Sequence, residues 1–155
     1  MKLFCVRHGH AEQLPNYMGE RPLTKEGIFE IGKVATYLRR QEIQVAYLMY
    51  SEKLRARQSA KILSTGIITV STEESALLGP QCSTKPFIDL VQGWHDDTML
   101  VGHMPFLSHL VSALILGNDS CDILRILPGT VICLERIENH QWILNWIMHP
   151  DLIPN

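Results

Sequence analysis

Apolar positions along the chain change period several times, and each change marks a boundary between elements. Leu3 to Val6 is a short, nearly continuous apolar run, the pattern of a central parallel strand buried on both faces. Gly9 signals a turn, and residues 10–22, with Pro15, Gly19 and Pro22, read as a loop. From Thr24, a capping residue, the period becomes helical, with Ile28, Ile31, Val34, Ala35 and Leu38 on one face. Val45 to Tyr50 predicts a second strand, followed by Ser51 and a helix to about Leu63. Ile67 to Val70 predicts a third, short strand, and residues 71–86 form a polar, proline-interrupted stretch. Phe87 to Val91 reads as helix and Thr98 to Val101 as a fourth strand. Phe106, Leu107, Leu110, Val111, Leu114 and Ile115 then form a broad apolar helical stripe. Thr130 to Glu135 and Trp142 to Ile147 flank Asn139-His140 and predict a closing pair of strands.

This alternation argues for an α/β domain: a mainly parallel sheet flanked by helices, with antiparallel strands near the C-terminus. A length of 155 residues suits one domain, 1–155. In such sheets ligands bind at the carboxyl ends of the strands, where strand order reverses. Three predicted strands end in reactive residues: Arg7-His8, Ser51 with Arg55 one helical turn later, and His103.

Charge and composition narrow the function. The formal net charge is −2 and no block of Lys and Arg is long enough for a nucleic-acid or membrane patch, so neither partner is expected. No segment approaches the roughly 20 apolar residues of a membrane span, and the N-terminal apolar run is too short for a signal peptide, so a cytoplasmic protein is expected. Cys5, Cys82, Cys121 and Cys133 lack paired CxxC spacing, which predicts reduced thiols and no zinc site; no metal or cofactor is expected.

The chemistry lies in the strand ends. Arg7-His8-Gly9 puts a guanidinium and an imidazole at the mouth of the first strand, with a glycine that lets the backbone turn tightly and approach a ligand. Arg55 and Arg57 open the next helix, where the dipole favours an anion. His103 closes the fourth strand. Two imidazoles and a forked guanidinium at one sheet edge describe a phosphoryl site.

Four pieces of sequence resemble the histidine phosphatase superfamily, and within it the small SixA-like phosphohistidine phosphatases. They are Arg7-His8-Gly9-His10, the stretch Arg21-Pro22-Leu23-Thr24-Lys25-Glu26-Gly27, the stretch 51–59 from Ser51 to Ser59, and Leu100-Val101-Gly102-His103-Met104-Pro105. The resemblance covers roughly the first 115 residues and implies a phosphoglycerate mutase-like fold. It implies that His8 is the nucleophile, transiently phosphorylated, and that Arg7, Arg55 and His103 surround the phosphoryl group. Arg21, Gly9, His10 and Ser51 become the candidates for holding substrate around it, and a phosphohistidine-bearing protein becomes the expected substrate. Arg57 is expected at the surface.

The departures from the family pattern are Glu52 in place of proline and Ser59 in place of threonine, both expected to affect the helix start rather than the chemistry. The mutase-like branch supplies an acid from a Glu after the third strand. The corresponding stretch here, Ala76-Leu77-Leu78-Gly79-Pro80, has no carboxylate, although Glu73 and Glu74 lie just upstream. A phospho-binding module without turnover would not need a nucleophile at His8. A metal-dependent hydrolase would mix its histidines with Asp or Glu.

Overall fold

The computed structural model describes residues 1–154, and each predicted strand becomes part of one six-stranded sheet. Strands β1 (Lys2–Arg7), β2 (Gln44–Ser51), β3 (Ile68–Ser75), β4 (Thr98–Gly102), β5 (Val131–Arg136) and β6 (Trp142–Met148) lie in the order β3-β2-β4-β1-β5-β6. The first four are parallel, and β5 and β6 run antiparallel, as the pattern predicts. Leu3, Phe4, Cys5 and Val6 of β1 are buried because helices cover both faces of the sheet.

Helices α1 (Lys25–Arg40) and α2 (Leu54–Leu63) cover one face, closing a core of Phe4, Val6, Leu48 and Val101. Helices α3 (Lys85–Gln92) and α4 (Phe106–Leu116) cover the other, over Leu3, Cys5, Leu100 and Ile132. The chain leaves β1 towards β2 on one side, whereas β4 leads through α4 to β5 on the other. Strand order therefore reverses at the β1–β4 pair, which opens a crevice at its carboxyl end.

Helix α1 starts where Thr24 predicts: its hydroxyl accepts the Gly27 N–H at 3.0 Å. Its buried stripe is Gly27, Ile31, Val34, Ala35 and Leu38, whereas Ile28, expected inside, is 47% exposed. The reason is a close approach. A Cβ on Gly27 would stand 2.1 Å from the His10 carbonyl oxygen, so the helix turns its glycine, not Ile28, towards the loop after β1.

Strand β3 is twice the expected length and absorbs the front of the polar stretch. It is an edge strand with alternate residues in water, so Thr72, Glu73 and Glu74 leave no apolar signal; its pairing with β2, from Gln44↔Ile68 to Ser51↔Ser75, specifies it instead. The four cysteines are free thiols, Cys5 and Cys133 buried. No described helix is long and apolar enough to cross a membrane.

Candidate active site

The carboxyl ends of β1, β2 and β4 bring His8, Ser51, Arg55 and His103 together. The imidazoles of His8 and His103 lie with ring centroids 4.9 Å apart, and both residues are buried, at 8% and 1% exposure. The register explains this: Arg7 pairs with Gly102 across adjacent parallel strands, so the next residue of each strand leaves at the same level. The His8 N–H donates to the Gly102 carbonyl at 3.0 Å, and the Gly129 N–H reaches the carbonyls of Arg7 and His8.

Hydrogen bonding settles the tautomer of His8. Its Nδ1 lies 2.7 Å from the Gly9 carbonyl oxygen, which can only accept, so Nδ1 carries the proton. Nε2 therefore presents a lone pair, and the Arg55 Nε–H donates to it at 3.2 Å. Burial, opposed in part by the Gly9 hydrogen bond and reinforced by Arg55, Arg7 and Arg21, lowers the His8 pKa to about 4. His103 is lowered to about 3 by burial and then by His8, Arg55, Lys53 and Arg7. Both rings are neutral at pH 7.

A small circuit closes behind this pair. The Ser59 hydroxyl, fully buried on α2, accepts the Gly9 N–H at 3.0 Å and donates to the Arg55 carbonyl at 2.7 Å. The path runs from the His8 ring to the Gly9 carbonyl, from the Gly9 amide through Ser59 to the Arg55 backbone, and from the Arg55 side chain back to His8. Imidazole and guanidinium are thus held by one set of bonds spanning two elements. Ser59 was expected to matter only to the helix start; its partners lie 50 residues away and just one helical turn back, which spacing alone does not disclose.

The remaining candidates divide. The Ser51 hydroxyl is bonded to His103 Nε2 at 2.8 Å and accepts the Lys53 amide at 3.3 Å, while His103 Nδ1 is buried without a partner among the described residues. Arg7 donates through Nη1 to the Ile126 carbonyl at 2.7 Å, from a loop the sequence did not connect with the site; its buried Nε has no partner among the described residues. Arg21 donates to the Glu12 carbonyl at 2.6 Å, and its charge lowers the pKa values of His8 and Arg55. Arg57 pairs with Glu20 at 3.2 Å at the surface, as expected.

Two expectations are corrected. Gly9 was expected to let the backbone turn tightly and approach a ligand, but it is not among the glycines of positive φ, which are Gly19, Gly117 and Gly129. Gly9 is needed for room, since a Cβ there would meet Ile31 Cγ1 at 2.7 Å, and its amide is taken by Ser59. His10 is exposed, with its ring Nδ1 at 3.2 Å from the Thr24 hydroxyl, and joins the start of α1 rather than the crevice.

The carboxylates upstream of the Ala76–Leu78 turn stay on the edge strand. Glu73 pairs in register with Met49, two residues before the strand end; its carboxylate accepts from Ser71 at 2.7 Å and lines a cavity with Tyr47, Trp94 and Thr98. Glu74 points to the opposite face. The charged groups that shift the pKa values of His8 and His103 are Arg7, Arg21, Arg55 and Lys53, with His8 acting on His103 as well. Such a crevice suits a dianion with several oxygens.

Fold and site together define a class: an α/β phosphatase whose crevice holds histidine and arginine at the strand ends. The chain belongs to the histidine phosphatase superfamily (branch 1), whose family model matches residues 3–77. It is 31% identical over 124 residues to an uncharacterised protein of Picosynechococcus sp., a match covering 76% of this chain and 75% of that one. It is 25% identical over 158 residues to the phosphohistidine phosphatase SixA of Escherichia coli, covering 97% and 94% of the two chains. The solved structure of the protein histidine phosphatase SixA with tungstate superposes with a TM-score of 0.86 at 23% identity, over 97% of this chain and 98% of that one. The alpha-ribazole phosphatase of Shigella flexneri shares the fold at a TM-score of 0.76 and 17% identity, over 97% of each chain.

Proposed function

We propose that this phosphatase dephosphorylates phosphohistidine on a protein, without a metal ion, by passing the phosphoryl group through His8. The observation that carries the reading is the orientation of that ring: Nδ1–H bonded to the Gly9 carbonyl and Nε2 presented as a lone pair in a cationic crevice. The Nε2 lone pair attacks phosphorus while the bond from phosphorus to the leaving nitrogen breaks. That nitrogen keeps the electron pair, and because the other nitrogen of the substrate ring already carries a proton, the ring departs as neutral imidazole. Water then attacks the phosphorylated His8, the Nε2–P bond breaks with its electron pair returning to Nε2, and inorganic phosphate leaves as H2PO4− with the water's oxygen and both of its protons.

Arg7, Arg55 and His103 surround the phosphoryl oxygens as charge redistributes, the main contribution a protein makes to phosphoryl transfer. On substrate binding the Arg55 N–H passes from Nε2 to a phosphoryl oxygen, which frees the nucleophile. Ser51 orients His103. A donor set of neutral imidazoles flanked by arginines repels a divalent cation, which supports metal-independent chemistry.

The substrate class follows from the leaving group. An alkoxide whose conjugate acid has a pKa near that of water, about 15.7, needs a positioned acid to leave. Imidazole, with a pKa of about 6.5, does not. The positions of Glu73 and Glu74 on the edge strand support a crevice without such an acid. The test is a rapid-quench experiment with phosphohistidine protein, phosphoserine peptide and a sugar phosphate, each with a chelator present. Phosphate should appear on His8 in an acid-labile, base-stable linkage, phosphohistidine should turn over fastest, and His8→Ala should bind phosphate without turnover. Full activity in His8→Ala, or alkyl phosphate turnover that collapses in a Glu73→Gln/Glu74→Gln double variant, overturns the reading.

A further inference from the structure

Between the loop after β1 and the start of α1 the chain displays three large apolar side chains in water. Leu14 is 81% exposed, Tyr17 98% and Met18 68%. Their frame is well tied. The Asn16 side-chain carbonyl accepts the amides of Met18 at 2.9 Å and Glu20 at 3.0 Å. The Asn16 amide donates to the Glu20 carbonyl at 2.8 Å, and the Gly19 amide to the Asn16 carbonyl at 2.9 Å, with Gly19 at a φ of +75°. At the base, the bridge Ala11↔Leu23 and the bond from the Glu12 amide to the Pro22 carbonyl close the loop. Backbone bonds therefore hold this turn while its apolar side chains contribute little to the fold.

The turn also has a defined place relative to the chemistry. It follows His8 directly, ends at Arg21, whose charge is felt by His8 and Arg55, and is tied through Glu20 to Arg57, two residues beyond Arg55 on α2. It stands on the rim of the crevice. With His8 only 8% exposed, the phosphoryl group enters and the rest of a large substrate lies outside, on that rim. Exposed, preorganised aromatic and methionine side chains are the composition of interface anchors. The turn's Glu20 is paired with Arg57, while Arg21 at its end and Arg7, Arg55 and Lys53 make the mouth of the crevice positive, so the surface that meets turn and mouth is best matched by an apolar patch with acidic surroundings.

We propose that Leu14, Tyr17 and Met18 are the docking surface for the phosphorylated protein substrate, a folded domain whose phosphohistidine sits beside an apolar patch bordered by acidic residues. This rests on the phosphohistidine reading above and adds to it the surface that selects a protein over a small molecule. The test compares the wild type with a Leu14→Ser/Tyr17→Ser/Met18→Ser variant on two probes: a chemically phosphorylated histidine phosphotransfer domain and free N-phosphohistidine. Expected is a fall of at least 10-fold in kcat/KM on the domain, carried by KM, with kcat/KM on free phosphohistidine unchanged. Equal values for both enzymes on both probes overturn the docking surface and leave the phosphohistidine reading standing. A parallel loss on both probes also overturns it, since the turn then shapes the crevice itself. A wild type that is dimeric by sedimentation and a monomeric variant would assign these side chains to a second copy and overturn it as well. Failure of the wild type to prefer either phosphohistidine probe over alkyl phosphates removes the underlying reading, and this proposal with it.

Discussion

Replacing Ser59 by valine, with threonine as its control, tests whether the circuit joining His8 to Arg55 matters for the reaction. Both substitutions add a methyl group at a fully buried position on α2, so they share any cost of crowding. Only valine removes the hydroxyl that accepts the Gly9 amide and donates to the Arg55 carbonyl. A buried N–H left without an acceptor costs about 1–3 kcal/mol. At about 2–4 °C per kcal/mol for a chain of this size, Ser59→Val should melt some 2–12 °C below Ser59→Thr. The larger effect is expected on the rate. Gly9 also carries the carbonyl that orients His8, so a freed Gly9 amide loosens the nucleophile, and a displacement near 1 Å costs on the order of 100-fold. Expected, then, is a kcat for Ser59→Val lowered about 10- to 100-fold, with Ser59→Thr near wild type. In an Arg55→Ala background the Ser59→Val effect should shrink, because the two residues act on one geometry. The assay is single-turnover formation of phosphorylated His8 with Tm measured alongside. Equal kcat for the threonine and valine variants, or a rate effect undiminished in the Arg55→Ala background, refutes the circuit.

Other expectations follow from the same geometry. Arg55→Ala should lower kcat by about 100-fold or more, as loss of one preorganised donor does, while Arg57→Ala, whose side chain pairs with Glu20 at the surface, should change kcat little; steady-state kinetics decide. Ring-selective NMR titration should find His8 and His103 neutral down to about pH 5, since their folded pKa values are lowered to about 4 and about 3. Because the unfolded rings titrate near 6.5, their contribution to stability is complete above that pH. It falls as pH drops from about 6.5 towards the folded values, by at most about 1.4 kcal/mol per pH unit for each ring. Denaturant melts between pH 7 and pH 4.5 read this directly. Gly27→Ala should abolish stable folding, because its Cβ would stand 2.1 Å from a carbonyl oxygen, whereas Gly32→Ala, with nothing within 4 Å, should raise stability by about 0.5–1 kcal/mol in the same melts.

How much of this was legible beforehand depended on how local the cause was. The buried strands β1 and β4 and the Thr24 cap announce themselves in short windows, because full burial demands unbroken apolar runs and an N-cap is satisfied three residues away. His8, Arg55 and His103 were legible for the same reason: parallel strands deliver their carboxyl ends to one edge, so a reactive residue after each strand is already half placed. What anchors Arg7, and the bond that joins Gly9 to Ser59, were not. The carbonyl that holds Arg7 comes from Ile126, and the hydroxyl that takes the Gly9 amide sits 50 residues on; each is one polar atom, with no period and no run to reveal it. The length of β3 and the outward turn of Ile28 were likewise decided by partners, a neighbouring strand and a carbonyl pressed against Gly27. The sequence by itself determined which elements form and which chemistry their ends carry, since hydrophobic periodicity and capping are local. Only the tertiary structure decided the tautomer of His8, the neutrality of both rings and the coupling of nucleophile to guanidinium, because these depend on burial and on hydrogen bonds between segments that meet only in the fold.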